Sequence, residues 1–195
     1  MKKRIIVGIC GASGVIYGVR CLELLRQTEY ETHLVISGSG RINIDIETSR
    51  SFEEVVSLAD FVHDHGNMAA SISSGSFLTE GMIVAPCTIK SLSGIANSYN
   101  DNLLVRAADV VLKEKRKLCL VVRETPLHKG HLRLMSLAAD MGAHILPPVP
   151  SFYHRPKTIE DIIDQTIGKI FDFFGIQHDL FARWGEAKEQ EMTAV

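Results

Sequence analysis

The sequence predicts an α/β protein built on an open, doubly wound and mainly parallel sheet. Short apolar, β-branched runs alternate with stretches of helical periodicity, and each run closes on a turn rich in Gly, Ser, Thr or Pro. Ligands on such sheets bind beyond the carboxyl ends of the strands, so those turns are where a site is expected.

Strands are expected at 4–10, 32–37, 81–86, 118–122 and 144–146, where length and β-branching suit buried parallel positions. Helices are expected at 15–27, 102–114, 131–141 and 159–174. In the last, Ile162, Ile163, Ile167, Ile170 and Phe174 line one side and Glu160, Asp161, Asp164 and Lys169 lie elsewhere. The 195 residues fit one domain, expected over 1–176, with a more polar tail at 177–195 that either crosses onto a neighbouring subunit or frays.

A net charge of −2 gives no global field for nucleic acid or an anionic membrane, so an anionic ligand must be gripped locally. Cys10, Cys21, Cys87 and Cys119 are scattered in apolar runs without C-x-x-C spacing, which points to buried thiols in a reducing cytoplasm. The apolar run after the basic start is too short for a secretory or membrane segment, so a cytoplasmic protein is expected.

The first strand runs into Gly8-Ile-Cys-Gly11-Ala12-Ser13-Gly14 and then directly into a helix. Glycines permit a sharp turn, and the free N–H groups of a helix start favour phosphate. The spacing is not G-x-G-x-x-G, and no acidic residue closes the second strand, which ends at Ser37-Gly-Ser-Gly40. The third predicted strand ends in Ala85-Pro86-Cys87-Thr88-Ile89-Lys90-Ser91, with Thr88 as an N-cap and Ser91 in the first turn. Capping alone explains that pair; a second hydroxyl-rich turn at a strand end favours a ligand as well.

Arg106 and Lys113 stand two helical turns apart on one face, and Arg106 sits among apolar neighbours where a lone cation is costly. The next strand ends in Arg123-Glu124, an anion clamp beside a carboxylate able to move a proton, or else an ordinary ion pair. A proline-rich turn after the last strand fixes Tyr153 ahead of the helix that carries Lys169. His63-Asp64-His65 is an H-x-H cluster whose histidines would face the same way on a strand, but no third or fourth ligand is assignable, and no metal is expected.

These stretches in order resemble the flavin prenyltransferase family (UbiX/Pad type), in its branch associated with hydroxyarylic acid decarboxylases. The resemblance rests on GASG at 11–14, Ser37, IET at 46–48, APCTIKSLSGIA at 85–96, DNLLVRAADVVLKEKRKL at 101–118, VVRETPL at 121–127, PPVPSFYHRP at 147–156 and RWG at 183–185. It implies a Rossmann-like flavoprotein that joins a dimethylallyl group to reduced FMN at N5 and C6 without a metal. It further implies a homo-dodecamer with the site at a subunit interface, and a downstream aromatic acid decarboxylase as recipient of the product.

Carried onto this sequence, Gly11, Ala12 and Ser13 would wrap the FMN phosphate or ribityl chain, assisted by Ser37, by Thr88, Ile89, Lys90 and Ser91, and by Arg123. Arg106, Lys113, Arg123, Tyr153 and Lys169 would surround the phosphate of dimethylallyl phosphate. Glu124, Glu47 and Ser13 fall at the family's catalytic positions, with Glu124 as the proton-handling carboxylate. Arg133 and Leu134 replace the acidic and amide residues that many relatives carry, and Lys169 replaces an arginine. Two further readings share the fold: a flavin-dependent cysteine decarboxylase, which relies on an early histidine where this chain has only His33 inside a strand, and a non-catalytic FMN-carrying subunit of a decarboxylase complex.

Overall fold

The computed structural model describes residues 2–185. The chain forms two compact units, Met1–Pro147 and Pro148–Val195. The first holds β1 (Lys3–Ile9), α1 (Val15–Leu25), β2 (Tyr30–Ile36), α2 (Gly38–Glu47), α3 (Phe52–Val56), β3 (Phe61–His63), β4 (Gly81–Cys87), α4 (Ile89–Ala96), α5 (Leu103–Lys113), β5 (Lys117–Val122), α6 (Lys129–Asp140) and β6 (Ala143–Ile145). The second carries α7 (Ile159–Phe174). Of the tail expected at 177–195, residues 186–195 lie outside the described residues.

All six strands are parallel, in the order β3-β2-β1-β4-β5-β6. The order reverses between β1 and β4, and this switch point opens a crevice at the carboxyl edge. The sheet is covered on both faces. A Cβ on Gly8 would meet Leu104 of α5 at 3.2 Å, whereas the next residue, Ile9, points at Gly18 of α1. Gly18 is needed there, because a Cβ would stand 2.2 Å from the carbonyl oxygen of Ala85. Fully buried Ile5, Val7, Leu34, Ile83, Val84 and Leu120 explain why the strand runs read as continuously apolar rather than alternating. All four cysteines are buried and unpaired.

Each expected strand and helix forms, with ends shifted by a few residues. Four elements were not foreseen: α2, α3, β3 and a 3-10 turn at Ser71–Ser73. α3 starts with a complete capping box, Ser51 with Glu54. β3 is a three-residue edge strand with two exposed positions, too short for an apolar pattern.

Candidate functional site

Because the strands are parallel, the turns after β1, β2, β3, β4 and β5 gather at one edge. The ladder is extended there by Ser37 N–H donating to Ile9 O (3.0 Å), Cys10 N–H to Pro86 O (3.2 Å) and Arg123 N–H to Cys87 O (3.1 Å). These bonds draw the turns after β1, β2, β4 and β5 together.

The glycine turn after β1 packs tightly against the start of α2. A Cβ on Gly11 would lie 2.3 Å from the Ser39 side chain and 2.8 Å from its carbonyl carbon, and Asn43 Nδ2 donates to Gly11 O at 3.1 Å. Glu47, at the end of α2, reaches back so that its Oε2 accepts from Gly14 N–H (2.6 Å) and Val15 N–H (3.1 Å). A carboxylate thus fills the helix start that the glycine pattern offers to a phosphate.

Two other helix starts face the crevice. Ser37 caps α2 by accepting from Gly40 N–H at 3.0 Å. Thr88 caps α4 by accepting from Ser91 N–H at 3.0 Å, as its sequence position predicts. The Thr88 hydroxyl donates to Ser91 Oγ at 3.1 Å, and the buried Cys10 thiol donates to the same oxygen at 3.1 Å. Ser37, Ser39, Thr88, Lys90 and Ser91 line one cavity of about 720 Å³, large enough for a mononucleotide cofactor. Lys90 makes no ion pair among the described residues. Arg123, half-buried just after the β5 residue that pairs with Cys87, likewise makes no side-chain hydrogen bond or ion pair there. A partly buried cation without an anion suits an anionic ligand.

Glu124 is exposed and, among the described residues, accepts only from the N–H of Thr125, at 3.0 Å, with no ion pair to Arg123. Arg106 is satisfied internally: its guanidinium donates to Asp109 Oδ2 and to Ser73 O, each at 3.1 Å. Lys113 pairs with Glu114. Neither Arg106 nor Lys113 lines the cavity that holds Thr88 and Ser91. The expected cost of burying Arg106 without a ligand is therefore removed by protein partners.

In the second unit, Tyr153 is exposed and packs edge-on against Trp184, ring centroids 5.7 Å apart. Lys169 Nζ lies 3.5 Å from Asp172 Oδ2. Asp172 also accepts from Arg183 at 2.7 Å and 3.2 Å and from His178 at 3.1 Å. The Arg183 guanidinium, followed by His178, holds the Asp172 carboxyl down at about 2.

The strand ends at His63, so the two histidines do not lie on one strand. His63 ends β3 with Nε2 2.9 Å from His33 Nδ1, while the turn after it sends His65 into the cavity. Asn97, Tyr99, Asp101 and Asn102 are cavity residues that sequence reasoning did not single out as ligands, because none carries a spacing signal, and His65 was weighed only as a metal ligand. Arg133 is exposed, and Leu134 is partly buried against the core.

The strand order and the phosphate-type turns define an α/β protein that holds a phosphorylated cofactor beyond its strand ends. Residues 1–182 match the family described as Flavoprotein. Flavin prenyltransferase UbiX of Escherichia coli (strain K12) is 61% identical over 185 residues, covering 93% of this chain and 98% of that protein. The crystal structure of AnUbiX (PadA1) in complex with FMN and dimethylallyl pyrophosphate superposes with a TM-score of 0.93 at 46% identity, over 95% of this chain and 98% of that one. A dodecameric FMN-dependent Ubix-like decarboxylase from Escherichia coli O157:H7 gives 0.91 at 48% identity, over 93% and 98%. The chain belongs to the UbiX flavin prenyltransferase family.

Proposed function

We propose that this protein joins the dimethylallyl group of dimethylallyl phosphate to reduced FMN at N5 and C6, without a metal ion, and passes the product to an aromatic acid decarboxylase. The observation that carries this reading is the 61% identity to a flavin prenyltransferase over 93% of the chain, together with a cavity whose capped turns and unpaired Lys90 fit the FMN phosphate.

Because Glu47 occupies the start of α1, the phosphate fits best between the α2 and α4 starts, against Ser37, Thr88, Ile89, Lys90 and Ser91. This leaves Gly11, Ala12 and Ser13 to the ribityl chain and ring. Reduced FMN, when bound, supplies an electron-rich ring that can stabilise an allyl cation. Arg106, Lys113, Arg123, Tyr153 and Lys169 hold the prenyl phosphate and offset the charge that grows on it as the allylic C–O bond breaks, in place of a divalent ion. Glu124 would accept the proton released at ring closure, and Glu47 and Ser13 would order the glycine turn.

The protein acts as a homo-dodecamer in the cytoplasm. Arg106 and Lys113 stand outside the cavity of their own chain, and α2 and α6 expose Ile42, Ile46 and Leu132; both observations support a site completed by a second copy. Among the described residues no helix is long and apolar enough to cross a membrane. The test is release of inorganic phosphate from dimethylallyl phosphate in the presence of a chelator. Release that requires reduced FMN is expected; release independent of flavin, or dependent on added metal, contradicts the proposal.

A further inference from the structure

We propose that His65 is a further cofactor-binding residue, which meets the phosphate of FMN together with Lys90. The inference rests on the reading of the cavity as the FMN site and adds to it a ligand from a strand end that the glycine and hydroxyl turns do not include.

His65 lines the same cavity as Ser37, Thr88, Lys90 and Ser91. It follows β3 at the carboxyl edge, and β3 pairs with β2 so that His63 lies opposite Val35, two residues before Ser37. The turn that carries it is held at both ends. Asp64 Oδ1 accepts from Gly66 N–H at 2.7 Å, and His65 O accepts from Leu103 N–H at 2.9 Å, at the start of α5. The backbone of His65 is therefore fixed before any ligand arrives.

Its ring is half-buried and makes no hydrogen bond among the described residues, whereas the neighbouring His63 is bonded to His33. An imidazole in this position has both nitrogens available to a ligand. The charged groups facing it are Asp64 on its own turn, Asp101 on the connection into α5, and Lys90 on α4. Burial is the largest influence and holds the ring below its ordinary pKa; the two carboxylates oppose this, and Lys90 adds to it. A phosphate dianion beside His65 and Lys90 reverses the balance by favouring the imidazolium, so FMN binding takes up a proton. Affinity for FMN then rises as pH falls, beyond what the phosphate's own titration gives.

Fluorescence-quenching titrations of wild type and His65→Gln with FMN and with riboflavin, from about pH 6 to 8, test this. The expected result is a loss of about tenfold in FMN affinity near pH 6, corresponding to ~1.4 kcal/mol, with riboflavin affinity unchanged and a flatter pH profile. A variant that matches wild type with FMN at every pH overturns the assignment of His65 alone. Equal losses for FMN and riboflavin overturn the phosphate contact. A wild-type protein that binds no FMN overturns both this inference and the functional reading beneath it.

Discussion

The Glu47 carboxylate accepts the backbone N–H of Gly14 at 2.6 Å and so caps the helix that follows the glycine turn. The side chain thus clasps α1 to α2, and we propose it as an active-site carboxylate as well. Glu47→Ala should cost about 1 kcal/mol of stability through the lost cap. Glu47→Gln, which can still accept the N–H bonds, should recover much of that loss without restoring turnover. Thermal melts beside prenylation rates separate the two roles; full activity in Glu47→Gln would leave the residue only structural.

Glu124 is exposed and among the described residues bonds only to the adjacent N–H of Thr125, so its removal should hardly move stability. Glu124→Ala is expected to lower prenylation by about 100-fold or more, the range of a lost general base, while FMN still binds. Unchanged turnover would remove the proton-transfer role.

Arg106 spans Asp109 and Ser73 O at 3.1 Å each, which fixes its guanidinium before substrate binds. Arg106→Ala should raise KM for dimethylallyl phosphate about tenfold or more, through a lost charged hydrogen bond, with FMN affinity little changed. Equal weakening of both ligands would contradict that division of labour.

His33 is 3% exposed, and burial holds its pKa below the ordinary value of 6.5 despite the opposing Glu31 carboxylate. Between that lowered pKa and 6.5 the unfolded chain binds more protons than the folded one, so stability should fall as pH drops through this window. Arg4, Asp60 and His63 also bear on the ring, and His63 and His65, likewise lowered by burial, add in the same direction. His33→Gln should melt lower at neutral pH and show a shallower decline on acidification to about pH 5.5. A decline as steep as wild type would contradict burial of a neutral imidazole.

Much of the sheet was legible because its central strands are buried on both faces and advertise themselves as apolar runs. The Thr88 cap was legible from residue type and place alone. The helix α2 was not: its GSGRINIDIE sequence is rich in glycine and polar residues. It forms because Ser37 caps it and because Gly40 packs so closely on β1 that a Cβ would lie 2.7 Å from Ile9 O. Arg106 looked like a cation awaiting an anion because Ser73, 33 residues earlier in the chain, gives no sequence sign of approaching it. The place of His65 in the cavity depended on β3 ending at His63, which a three-residue edge strand does not announce.

The most direct measurement is the mass of the flavin recovered after anaerobic incubation of the purified protein with reduced FMN, dimethylallyl phosphate and a chelator. The account predicts FMN heavier by one prenyl unit, formed in proportion to phosphate released. Recovery of unmodified FMN alone, from protein shown to bind it, would contradict the account.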